Sequence, residues 1–439
     1  MDRWERELKN KVNPMLTSGV EERIEETLNK LPRKRRQRIF LYPAIASIAS
    51  LFIIFSASLF SPSAADTLKS VPVIGSIFKL VGDISEQKGN KMELTTLLGE
   101  EIEVGGHTII FTESLYDGST IHIGYLIEPP TIDSKFWNDF FDNLQLTVDG
   151  KSLNYGYGMG NKGDFLEDGD YAGVFTIDIN REELPDHFML GIYSRYENRA
   201  WKVALPIVLQ GENQSFLVNQ TKSAKDLVMH YDKITFFPTS TEIAFRIVMD
   251  EDVFNSDKYM FMDYQVVDNE GRVLQPLSGG GGGGSDNGQF LQTFKYYFEP
   301  LETIPQAITV KPFLNKKDEK ELEVVKEKWK GQEMTLSQGD IGQVKILDID
   351  MNDDFATVTI ETDGADAYQQ ANNVWIEFHD TKDYSDDQGL KRVEGTVNQY
   401  QLTAELGGRN IEGLYVATSK LHAPTFFEEL EMTIELIER

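Results

Sequence analysis

From Trp4 to Leu31 the apolar residues recur at helical spacing. Trp4, Leu8 and Val12 share one face, as do Val20, Ile24, Leu28 and Leu31. Asp2 with Glu5, and Ser18 with Glu21, stand at the spacing of N-cap and N3, and Asn13-Pro14 and Pro32 supply the stops. Two short amphipathic helices are therefore predicted. Polarity then disappears from Ile39 to Phe60, an uncharged run of 22 residues. At roughly 1.5 Å per residue this reaches about 33 Å, enough to cross a bilayer core. After the run, small residues and two prolines between Ser61 and Phe78 bracket a short predicted helix that continues with Phe78 and Leu80. From there to the C-terminus the pattern shortens to β-type runs: Thr108–Phe111, Ile121–Tyr125, Leu144–Val148, Val174–Ile179, Ile234–Phe236, Ile243–Ile247, Tyr264–Val267, Phe294–Phe298, Ile308–Val310, Ala356–Ile360, Val374–Phe378, Leu414–Ala417 and Met432–Leu436. Gly105-Gly106, Asp117-Gly118, Asp149-Gly150 and Asp168-Gly169 punctuate the first group with turns.

This order predicts a mainly β chain with short cytosolic helices, one transmembrane helix and two or three β-sandwich, immunoglobulin-like domains outside. The divisions fall at 1–38, 39–61, 62–211, 212–330 and 331–439, with the charged stretch Lys316 to Lys330 closing the fourth. Six consecutive glycines within Ser278–Ser285 read as a long hairpin loop inside the fourth division, because β-type sequence lies on both sides. They do not form a phosphate loop, since no Gly-Lys-Ser/Thr follows.

Charge sets the orientation. Arg33, Lys34, Arg35, Arg36 and Arg38 directly precede the apolar run, which places the N-terminus in the cytoplasm and the C-terminus outside the cell membrane. A cleaved signal peptide ending near Ser63-Ala64-Ala65 is the other reading, against which stand the 38 residues before the run and the run's length. Residues 1–38 carry 11 basic and seven acidic side chains. Of the chain's 43 and 71, that leaves 32 basic and 64 acidic beyond them. So acidic an exterior disfavours nucleic acid and anionic lipid, and suits a salty or polyanionic wall, a cationic ligand or simply solubility.

Cysteine is absent, which removes disulfides, thiol catalysis and Cys-based metal sites. All six histidines lie beyond the apolar run, so the first 38 residues lack any His or Cys ligand for zinc. Asp348–Asp354 resembles the start of a calcium loop but lacks its Gly and final Glu, and reads as an acidic strand-to-turn cluster. His122, on the face opposite Ile121 and Ile123, reads as an exposed or satisfied strand residue. No Gly-x-Ser-x-Gly, His-Glu-x-x-His or Ser-x-x-Lys occurs. No enzyme, metal or cofactor is expected.

The foot ending in Leu31-Pro32 and a basic cluster, then Val71-Pro72-Val73-Ile74-Gly75-Ser76-Ile77-Phe78, then Tyr116-Asp117-Gly118, together resemble membrane-anchored anti-sigma factors of Gram-positive bacteria with a β-rich ectodomain. Asp268-Asn269-Glu270-Gly271 and Val310-Lys311-Pro312 resemble the immunoglobulin-like unit that often follows. The resemblance covers about the first 315 residues, and the zinc-type motif His-x-x-x-Cys-x-x-Cys is missing. It implies that the foot sequesters an extracytoplasmic-function sigma factor while the exterior senses an envelope ligand or is met by a protease. With no zinc motif, capture rests on the apolar stripes, with Trp4, Leu8, Val20, Ile24 and Leu28 as the contact surface. Two other readings stay open: a foot that lies on the membrane, and a surface structural or adhesive protein whose foot only anchors it.

Overall fold

The computed structural model describes residues 76–439, apart from 129–139, 141–143, 154–156, 167–168, 180–183, 197–198, 317–321, 353–354, 379–386, 407–412 and 437–439. Every described residue belongs to one compact unit. The amphipathic foot and the apolar run lie outside the described residues. No helix among the described residues is long and apolar enough to cross a membrane.

Six antiparallel sheets pair into three sandwiches, so the mainly β expectation holds for the described body. In the first sandwich a five-stranded sheet runs in the order Thr95–Val104, His107–Tyr116, Thr120–Ile127, Tyr171–Ile179, Tyr157–Phe165. It faces a sheet of Lys151–Ser152, Gln145–Val148, His187–Tyr196 and Arg199–Val208. Alternate residues of both meet in one core, including Ile109, Phe111, Ile121, Ile123 and Tyr125 against Leu190, Ile192, Leu205 and Ile207.

The other face of the five-stranded sheet is covered too. Helices α1 (Ile77–Val81) and α2 (Ile84–Lys91) lie over it, and Ile77 and Phe78 join Ile110, Leu115, Leu126, Ala172 and Val174 in a second, smaller cluster. Burying side chains such as Ile77 and Phe78 contributes about 1.5–3 kcal/mol each. Gly89 permits the close approach, since a Cβ there would stand 2.5 Å from Leu115 Cδ2. In consequence all eight residues of Thr120–Ile127 are buried.

The second sandwich has the sheet order Gln214–Ala224, Leu227–Phe236, Thr241–Asp250, Gln289–Phe298, Pro276–Asp286, opposed by Met262–Asp268 and Ala307–Leu314. The six glycines are not a loop but the middle of the Pro276–Asp286 edge strand, in register from Gly279↔Tyr296 to Gly284↔Leu291. Low strand propensity hid them. Tertiary packing demands them at alternate positions: a Cβ on Gly281 or Gly283 would come within 2.3 Å of a carbonyl of the neighbouring strand, and one on Gly279 within 2.5 Å of the Tyr296 ring.

The third sandwich pairs a sheet of Val324–Lys328, Leu414–Ser419 and Val374–Phe378 with one of Met334–Ser337, Gly342–Met351, Phe355–Gly364, Gln399–Glu405 and Asp387–Arg392. Val324–Lys328 lies inside the charged stretch that closes the expected 212–330 division. Four of its five side chains are exposed, so little hydrophobic pattern marks it. At the other end, Thr425–Phe426 and Met432–Glu435 leave the expected 331–439 division and pair with Ala307–Leu314. Leu430, Met432, Ile434 and Leu436 fill the second core. The third sandwich is thus an insertion between two neighbouring strands of the second.

Candidate functional site

The site is built where α2 meets the first two sandwiches. Each helix is held by a buried carboxylate. Glu113, from His107–Tyr116, accepts hydrogen bonds from the Ser76 hydroxyl at 2.7 Å and the Phe78 backbone N–H at 3.1 Å, which caps α1. Burial pushes the Glu113 carboxyl up, against those bonds. Glu86 uses both its oxygens. Oε2 accepts from the Asp83 backbone N–H at 2.8 Å, and Oε1 lies 2.8 Å from His122 Nδ1. Burial acts to raise the Glu86 carboxyl, but the His122 charge and hydrogen bond outweigh it and bring it down to about 2. For His122, burial acts to lower the imidazole. Glu86 first, then Asp117 and Asp178, outweigh it and raise it. The pair is buried, and each partner shifts the other toward its charged form.

His122 therefore corrects the exposed alternative of the sequence reading. The alternation is right, since His122 does face away from Ile121 and Ile123. That face is roofed by α2, however, and His122 is buried. The missed signal was at 84–91, where a helix with few apolar residues gave no sign of covering a sheet.

Asp117, in the turn after His107–Tyr116, reaches across to the second sandwich. Its Oδ1 accepts from the Ser119 backbone N–H and hydroxyl at 3.1 and 2.5 Å. Its Oδ2 accepts from the Thr239 backbone N–H and hydroxyl at 2.9 and 2.6 Å. The Ser85 hydroxyl of α2 donates to the Thr239 carbonyl at 3.0 Å, and Lys88 pairs with Glu302 at 3.2 Å. Asp117 of the first sandwich and Ser85 of α2 thereby converge on one turn of the second sandwich, and Lys88 reaches a separate loop of it.

Beside these contacts lies a cavity of about 370 Å³. The first sandwich contributes His122, Asp178 and the glycine-rich segment from Gly158 to Lys162. The second contributes Ser240, Leu277, Ser278 and Tyr297. Asp178 Oδ1 accepts from Thr120 at 3.1 Å and Ser278 at 3.3 Å, one partner from each sandwich. Burial raises the Asp178 carboxyl, against the Thr120 and Ser278 bonds and the His122 charge. The lining is largely polar and includes Ser85 and Glu86 of α2, so a small molecule held there would touch that helix. Nothing in it arranges a nucleophile with a base. Among the described residues no group of three or more His, Asp or Glu could hold a metal ion.

The sequence-predicted contact residues Trp4, Leu8, Val20, Ile24 and Leu28 all lie outside the described residues. From the acidic cluster, Asp348 and Asp350 stand on Gly342–Met351, while Asp353 and Asp354 lie outside the described residues.

Residues 35–129 match DUF4179, a domain of unknown function. That segment runs from the basic cluster through the apolar run to the end of Thr120–Ile127, and so contains Glu86, Glu113, Asp117 and His122. Residues 213–349 match DUF5643, a family of unknown function, and contribute Thr239, Ser240, Ser278 and Tyr297. No curated protein matches the chain. Among solved structures, a conserved domain protein from Bacillus anthracis aligns with 83% of this chain and 100% of its own, at 13% identity and a TM-score of 0.44. The N-terminal eight Ig domains of Down Syndrome Cell Adhesion Molecule align with 76% of this chain and 43% of their own, at 10% identity and a TM-score of 0.15.

Proposed function

We propose that this chain is a single-pass membrane regulator of the anti-sigma type. Its N-terminal segment captures an extracytoplasmic-function sigma factor in the cytoplasm, and its β body outside senses the envelope. The observation that carries this reading is the continuity of residues 35–129. One matched segment joins the basic cluster and apolar run to α1 and α2, and α2 is bonded to both of the first two sandwiches. A change at their junction therefore acts on the chain that leads back toward the membrane. DUF4179 is often found in anti-sigma-factor-like proteins, which adds support.

Capture is assigned to the stripes of Trp4, Leu8, Val20, Ile24 and Leu28, which are too short to build a core of their own. The test is co-purification of sigma factors with the full chain from membranes. Ile24→Asp and Leu28→Asp each remove an apolar anchor worth about 1.5–3 kcal/mol, so capture should weaken at least about tenfold with membrane abundance unchanged. The sigma factor's target genes should then be expressed constitutively. If no sigma factor co-purifies and the substitutions leave transcription unchanged, the body is a surface structural or adhesive protein and the foot only an anchor.

A further inference from the structure

Five ionisable side chains line the cavity: Asp83, Glu86, Asp178, Lys162 and His122. Four of them cancel in pairs, Lys162 with Asp83 at 2.5 Å and His122 with Glu86 at 2.8 Å. Asp178 is left over. Its Oδ1 is committed to Thr120 and Ser278, but its Oδ2 accepts from no described residue. A second observation points the same way. Ser240, from the opposite sandwich, is only 4% exposed, lines the same cavity, and its hydroxyl has no hydrogen-bond partner. A hydroxyl so buried normally has a partner, and leaving it without one costs free energy.

The chemistry of these two atoms selects a ligand. A carboxylate oxygen only accepts, so its complement is a cationic donor with no acceptor of its own, an ammonium or a guanidinium, and a single free oxygen suits the point charge of an ammonium rather than the two-pronged guanidinium fork. An anionic ligand would meet a net excess of carboxylates. A hard divalent cation would need about six oxygen ligands, and no described group offers a cluster of three. The volume falls within the usual range for small-ligand sites, and Val174, Met159 and Leu277 supply apolar wall for an alkyl stem. The 64 acidic against 32 basic side chains beyond residue 38 raise the local concentration of cations.

We infer that the cavity between the first two sandwiches binds a primary ammonium on an alkyl chain, held by Asp178 Oδ2, with Ser240 as a further polar contact from the second sandwich. A lysine side chain of a peptide and a free alkyl diamine share this chemistry. The assignment stands independently of the sigma-factor reading, because it concerns only described residues of the β body.

Isothermal titration calorimetry on the full chain in detergent micelles tests it. The probes are cadaverine and the capped tripeptide acetyl-Gly-Lys-Gly-amide, with the Nε-acetylated tripeptide as neutral control. Both charged probes should bind and the acetylated one should not. Tighter binding of the tripeptide assigns the site to a peptide lysine, and tighter binding of cadaverine to a free amine. Asp178→Asn keeps the Oδ1 acceptor for Thr120 and Ser278 and removes the charge, so it should weaken binding at least tenfold at unchanged melting temperature. Ser240→Ala should weaken it about threefold, while Asp286→Asn, on an exposed strand end, should change nothing. Should Asp178→Asn melt lower, Ser240→Ala and the comparison of charged with acetylated tripeptide on the native chain decide. Absence of heat with both charged probes, equal binding of the acetylated tripeptide, or full affinity in a well-folded Asp178→Asn chain would overturn the inference.

Discussion

The two junctions between sandwiches are made differently. Between the first and second, the chain passes once, through residues 209–213, and side chains hold the rest: Asp117 on Thr239, Ser85 on the Thr239 carbonyl, Lys88 on Glu302. Between the second and third, the chain passes out after Ala307–Leu314 and returns to pair with that same strand. There Arg392 donates to Glu299 at 2.9 Å, to the Tyr400 hydroxyl at 2.9 Å and to the Val273 carbonyl. Gln265 donates to the Ala365 carbonyl and to Asp366. A doubly connected domain is restrained by the backbone itself. A singly connected one depends on buried polar groups whose partners and protonation can change, and the cavity and the Glu86–His122 pair both lie there. The first junction is the part of the body suited to respond, and the second the part suited to stay fixed.

The comparison breaks most severely at the returning strand. Truncation after Ala423 removes Leu430, Met432, Ile434 and Leu436, all buried in the second core, at about 1.5–3 kcal/mol each. Thermal unfolding followed by circular dichroism should lose the transition of the second sandwich. A truncated chain that melts like the intact one would show that the return is ornamental.

A smaller effect separates the junctions directly. Asp117→Ala deprives buried Thr239 and Ser119 donors of their acceptor and should destabilise by about 3 kcal/mol. It should also expose residues 209–213 to protease. Gln265→Ala should cost about 1 kcal/mol and leave the second junction uncut, since two chain connections and Arg392 remain. Equal nicking in both variants would erase the distinction drawn here.

The smallest effect is with pH. His122 is raised in the fold, so its contribution is complete below its ordinary value of 6.5 and is lost as pH rises through the raised value. Glu86 is lowered, so its contribution is complete above its ordinary value of 4.5 and is lost as pH falls toward about 2. The Glu86–His122 clamp is therefore strongest between about 4.5 and 6.5. The groups facing His122 are Glu86 from α2, Asp117 from the turn, and Thr176 and Asp178 from the neighbouring strand. His122→Gln should flatten the decline in melting temperature above pH 6.5, and a profile identical to the native one would remove the pair from the account.

Much of this was legible in the residues alone. Alternation located part of the core in each sandwich, as at Ile121–Tyr125, Ile243–Ile247 and Ala356–Ile360, because a strand with one face in a core shows its period locally, but it passed over His187–Tyr196, Arg199–Val208 and Gly342–Met351, which also line those cores. Asp117-Gly118 and Asp149-Gly150 announced turns through their own backbone preference, and positive φ at Gly118, Asp149 and Gly150 matches them. What sequence could not decide were matters of which surfaces meet. The glycine strand has no side chains to carry a period, and only the rings of Phe294 and Tyr296 and the neighbouring carbonyls make it a strand. The terminal run at Met432 read as β, but its partner lies more than a hundred positions earlier, a distance at which local pattern is silent. His122 was placed on the correct face by its neighbours, yet whether that face meets water or a helix depends on α2 arriving there. Periodicity is a property of one segment and its own backbone. Burial, charge pairing and a cavity shared by two domains are properties of surfaces brought together, and only the tertiary structure holds them.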